Sequence, residues 1–107
     1  MKIVDEIKRE ERARKRYDGA VTLADEIFGR ERVLAQKRDF NSSDPYDTIY
    51  VDKVEEGGII QYGIEICVRK PEIKVYNEST FSEARRFGER LERAFEEEIT
   101  LRHNYMR

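Results

Sequence analysis

Three acidic side chains, Asp47, Asp52 and Glu65, stand in a stretch of alternating apolar and polar residues. Carboxylates brought together on a sheet can hold a divalent cation that activates water for phosphodiester cleavage. A second group is cationic: Lys8, Arg9, Arg12, Arg14, Lys15 and Arg16, diluted by Glu10 and Glu11. Such a run can neutralise phosphates, and equally can form a solvated or intersubunit helix face. Its candidate nucleic-acid contacts are Arg9, Arg12, Arg14, Lys15 and Arg16. A third group is aromatic. Tyr46, Tyr50 and Tyr76 fall with Glu65 on one predicted sheet face, where tyrosines can stack on bases or form a protein interface. His103, the only histidine, reads as a surface residue near the end of the sequence. No serine or cysteine has a histidine partner nearby in sequence, and there is no phosphate-binding glycine loop and no zinc-ligand spacing. No catalytic residue is assigned and no cofactor is expected.

The elements that would position these groups are clearest after Tyr46. Asp47–Val54 and Ile59–Val68 are rich in β-branched and aromatic residues with period-2 alternation, and Gly57-Gly58 between them is a hairpin turn. Arg69–Glu72 is a second turn and Ile73–Tyr76 a short third strand. A turn centred on Gly57-Gly58 sets Val51 opposite Ile64 and Ile49 opposite Ile66. A turn centred on Lys70-Pro71 sets Ile73 against Val68 and Val75 against Ile66. The aliphatic face then gathers Ile49, Val51, Ile60, Tyr62, Ile64, Ile66, Val68, Ile73 and Val75. The other carries Tyr46, Thr48, Tyr50, Asp52, Val54, Gln61, Gly63, Glu65, Cys67, Lys74 and Tyr76.

Thr80-Phe-Ser-Glu83 has the capping-box pattern. Phe81, Ala84, Phe87, Leu91, Ala94, Phe95 and Ile99 then recur at helical spacing, predicting a long helix on the aliphatic face. The first forty residues predict one or two charged helices, with a break at Asp18-Gly19 and Gly29 inside the second. So polar a segment needs docking to be stable, and could cover the tyrosine face. Asn41–Pro45 is a loop. The fold class expected is therefore α+β: an N-terminal helix or helix pair, a three-stranded antiparallel meander and a C-terminal helix. It forms a single domain over 1–107, with a charged helical region at 1–40 and a βββα core at 46–103.

Asp47, Glu65-Ile66-Cys67 and the following Arg85-Arg86-Phe87 resemble the layout of the PD-(D/E)xK nucleases, which include archaeal Holliday-junction resolvases. The resemblance covers roughly residues 44–89. It implies Mg²⁺-dependent cleavage with Asp47, Asp52 and Glu65 as candidate metal ligands. The chain departs from the pattern in three places. Cys67 occupies the lysine position, Asp47 and Glu65 have opposite parity, and the predicted chain ends in a helix without a following strand. The order αβββα is also similar to the double-stranded-RNA-binding fold. There the basic helix start that clamps phosphate is replaced here by Ser82-Glu83-Ala84-Arg85-Arg86.

The 107 residues carry 41% charged and 38% hydrophobic side chains, enough for one modest core and too apolar for a disordered chain. Abundant Glu, Arg and Lys is a thermophile-like composition. The net charge of −2 exerts no global pull toward nucleic acid. Its distribution is uneven: residues 1–38 hold 11 basic and 8 acidic groups, 39–68 hold 1 and 7, and 69–107 hold 9 and 8. A single cysteine allows no intrachain disulfide, and no leader or membrane-spanning run is read, so a cytoplasmic protein is expected. The open tyrosine face and third-strand edge predict a homodimer. The function expected is a small non-catalytic binding or regulatory protein with a protein or nucleic-acid partner. Two alternatives are a divergent Mg-dependent nuclease and a structural subunit of a larger assembly.

Overall fold

The computed structural model of the protein describes residues 2–34 and 46–105. It is α+β: helix α1 (Lys2–Phe28), a 3₁₀ turn (Arg30–Arg32), strands β1 (Thr48–Glu56), β2 (Ile59–Cys67) and β3 (Glu72–Val75), a second 3₁₀ turn (Glu78–Thr80), helix α2 (Phe81–Phe95) and strand β4 (Thr100–His103). The sheet order is β1-β2-β3-β4, with β4 parallel to β3 and the other pairs antiparallel.

The β1–β2 hairpin follows the expected register, Val51 to Ile64 and Ile49 to Ile66. Gly57 and Gly58 have φ of 58° and 79°, the left-handed pair that a tight hairpin turn requires. The second register differs. Ile73 pairs with Ile66 and Val75 with Ile64, two residues from the expected pairing. A two-residue shift keeps every side chain on its face, so the core is unaffected.

Three corrections concern the helices. The expected break at Asp18-Gly19 does not occur, and α1 is continuous. A mid-helix glycine costs roughly 1 kcal/mol, which is small against the burial of Tyr17, Ala20, Ala24 and Phe28 on either side of it. The helix stops at Gly29, whose φ of 94° is left-handed. Thr80 makes no side-chain cap. Its hydroxyl donates to the Asn77 carbonyl at 2.7 Å, and Glu83 turns to Arg32. Finally, α2 ends at Phe95, with Glu96 at φ 53°. Three successive carboxylates, Glu96 to Glu98, oppose the negative end of the helix dipole. The β-branched pair Ile99-Thr100 then leads into β4, so Ile99 is not part of the helix.

Both helices lie on one side of the sheet. Tyr17, Ala20, Ala24 and Phe28 of α1 share a single core with Ala84, Phe87 and Leu91 of α2 and with the aliphatic face of β1–β3. Phe28 and Phe87 rings meet at 5.4 Å. Thus α1 does not cover the tyrosine face, because its small alanines allow close packing beside α2 instead. The β3 edge is not open either, since β4 pairs with it. On the opposite edge, the Leu34 amide donates to the Tyr50 carbonyl at 2.9 Å and Val33 bridges Val51.

Arg16 ties α1 to the end of α2. Its guanidinium sits 4.0 Å from the Phe95 ring centroid and donates to both Glu97 oxygens, at 2.7 and 3.1 Å. Hydrogen bonding from Arg16 holds the Glu97 carboxyl below the ordinary glutamate range. A carboxylate depressed on folding adds stability above its unfolded pKa and loses it as pH falls through the folded value. In Arg16→Ala, NMR titration is expected to move the Glu97 midpoint up to the ordinary value. An unchanged midpoint would show that the pair does not persist in solution.

Candidate functional site

The face of the sheet away from the helices carries the chemistry. Tyr50 on β1, Glu65 on β2 and Tyr76 just past the end of β3 come together there. The Tyr76 hydroxyl donates to a Glu65 oxygen at 3.1 Å. Tyr50 lies opposite Glu65 in the β1–β2 register and stacks on Tyr62, with centroids 4.2 Å apart. Partial burial, then the Glu65 charge, raises the Tyr50 hydroxyl above the usual tyrosine range. Tyr76 is raised by burial and by the Glu65 charge and hydrogen bond, against a lowering hydrogen bond from Asn104. Both phenols are therefore neutral hydrogen-bond donors across the physiological range.

Tyr62 belongs to this cluster although alternation placed it on the aliphatic face. The period fails at the Asp52–Gly63 step. Asp52 has φ 59°, and its carboxylate is held by Arg32, which also holds Glu83 on α2. Asp52 is thus on the helix side, not beside Tyr50. Gly63 leaves it room, since a Cβ at position 63 would lie 3.2 Å from the Asp52 Cβ. A glycine inside a strand was the available signal.

Tyr46 also leaves the expected set. Its ring meets Tyr17 of α1 edge-on at 6.0 Å, and it packs against the core. Asp47 does the reverse. It precedes β1, and its Oδ1 accepts from the Cys67 thiol at 3.2 Å, on the same side of the sheet as Glu65. Strand parity does not govern a residue in a turn. Burial, reinforced by Asp47, raises the Cys67 thiol, so it is a neutral donor rather than a nucleophile. Asp47, Asp52 and Glu65 therefore have separate partners. Among the described residues no three His, Cys, Asp or Glu side chains are grouped so as to hold a metal ion.

The basic run is spread along α1. Arg9, Arg12, Arg14 and Lys15 are exposed, whereas Arg16 is engaged with Glu97 and Phe95. The N-terminal half of this helix extends past the core and exposes Ile3, Val4 and Ile7, at 70%, 46% and 50%. Residues 35–45, including the Asn41–Pro45 loop, lie outside the described residues.

A groove of about 650 Å³ opens at one end of the tyrosine face, lined in part by Tyr62, Glu65, Tyr76, Glu78 and Tyr105. Neither Tyr105 nor Glu78 is marked for this face by strand alternation. Tyr105 arrives because β4 runs beside β3, with the Asn104 amide donating to the Val75 carbonyl at 2.8 Å, and Glu78 because the 3₁₀ turn follows directly on β3. Among the described residues no helix is long and apolar enough to cross a membrane. Comparison with protein-family models, curated proteins and solved structures finds no match.

Proposed function

We propose that this is a small non-catalytic binding protein. It acts as a homodimer through the tyrosine face of its sheet and the projecting half of α1, and engages a protein or nucleic-acid partner. The observation that carries this reading is that both helices pack on the aliphatic side, leaving Tyr50, Tyr62 and Tyr76 on a face that no described element covers. Exposed Ile3, Val4 and Ile7 support it, because a helix half with so little burial of its apolar residues is marginal in water.

Light scattering at micromolar concentration is expected to give twice the chain mass, and a single-chain mass would remove the dimer. Fluorescence anisotropy with DNA and RNA probes separates the partner classes. Affinity that falls steeply with salt, and is lost on neutralising Arg9, Arg12, Arg14 and Lys15, makes the partner a nucleic acid. No binding at low salt leaves a protein partner.

A second reading is a divergent Mg-dependent nuclease. Two observations favour it: Asp47 reaches the Glu65 side of the sheet, and a strand does follow α2. Mg²⁺-dependent cleavage lost in Glu65→Ala would support it. An intact probe with Mg²⁺ would remove it.

A further inference from the structure

The groove beside β2 and β3 combines aromatic walls with negative charge. Tyr62 comes from β2, Tyr76 from the residue after β3, and Tyr105 from the segment after β4. Glu65 stands at mid-sheet beneath the Tyr76 hydroxyl, and Glu78 lies in the 3₁₀ turn beyond β3. Ile60, 48% exposed, adds an aliphatic wall. No lysine or arginine is among the described lining residues, although Lys74 pairs with Glu65 in the strand register. The volume of about 650 Å³ falls within the range of small-ligand sites, roughly 300–1,000 Å³.

The ligand chemistry follows from these groups. Tyrosine faces attract cations through the ring quadrupole, and desolvation strengthens that attraction. Carboxylates on different elements favour a ligand with more than one positive centre. The apolar walls of the same groove favour a ligand with methylenes between those centres. A compact, strongly hydrated metal ion would match neither feature, and no metal-holding group is found among the described residues. We propose that this groove binds a linear aliphatic polyamine, its ammonium groups on Glu65 and Glu78 and its methylenes against Tyr62, Tyr76 and Ile60. The site deepens the reading of the tyrosine face as a binding surface, and rests on it.

Isothermal titration of the full chain with spermidine tests it, with MgCl₂ at equal ionic strength as the control. Saturable binding is expected, about tenfold weaker in Glu78→Gln and in Glu65→Gln, the loss of one charge-assisted contact each. Glu78 is exposed, so its variant should fold normally and keeps the test decisive. No heat of binding, equal binding in both variants, or full competition by Mg²⁺ would overturn the site. So would a peptide of residues 2–16 displacing spermidine at lower concentration, because the groove would then belong to a second copy's basic helix. A monomeric protein that binds spermidine leaves this site standing while the dimer falls. A dimer that does not bind it removes the site alone.

Discussion

Phe87→Ala is expected to lower the unfolding free energy by about 3–5 kcal/mol, the usual cost of emptying a fully buried aromatic site. Phe87 is 0% exposed and packs on Phe28, which links α1 to α2. The site is poorly able to collapse, because the sheet beneath it is locked by Ile49, Ile64, Ile66 and Ile73, all fully buried. A domain of this size typically has about 5–15 kcal/mol in total, so the variant should unfold well below the parent. Urea denaturation followed by circular dichroism, at one fixed chain concentration, measures it. A loss under about 1 kcal/mol would mean that α1 and α2 do not meet as described. Phe81→Ala, at the half-buried helix start, should cost less and serves as the internal comparison.

Arg32→Ala is the second large effect, expected at about 1–2 kcal/mol once solvent screening is allowed for. One guanidinium holds two carboxylates: Asp52 at 2.7 and 2.7 Å, and Glu83 at 2.7 and 3.0 Å. It also donates to the Phe28 carbonyl at 3.1 Å, so it joins the end of α1, β1 and the start of α2. Hydrogen bonding to Asp52, then to Glu83, raises the Arg32 pKa, and it stays charged at any working pH. Removing it leaves two like charges facing each other. Lysine should not restore the loss, since an ammonium cannot form two bidentate forks. Adding Glu83→Gln should recover part of it. Strict additivity of Arg32→Ala and Glu83→Gln would show that the two residues do not interact.

The hairpin was legible in the chain because its signals are local. Gly57-Gly58 permits the tight turn, and alternation from Ile49 to Val51 and from Ile64 to Val68 has one register that buries every branched aliphatic. The start of α2 and its apolar stripe were legible for the same reason. The tyrosine face was legible only in part. Tyr50, Glu65 and Tyr76 follow the period, whereas Tyr62 joins them because Asp52 breaks it. That break depends on Arg32, twenty positions away in sequence, and on Glu83 beyond it.

Local sequence thus determined the β1–β2 pairing, the aliphatic core of the sheet and the apolar face of α2, since turn chemistry and side-chain period act between near neighbours. Tertiary structure alone decided the rest: the side of the sheet that α1 takes, the end of α2 and the addition of β4, and the arrival of Tyr105 beside Tyr76. Each of these depends on contacts between residues far apart in the chain. Their free energy comes from shared burial and paired charge, and no short window of sequence carries it.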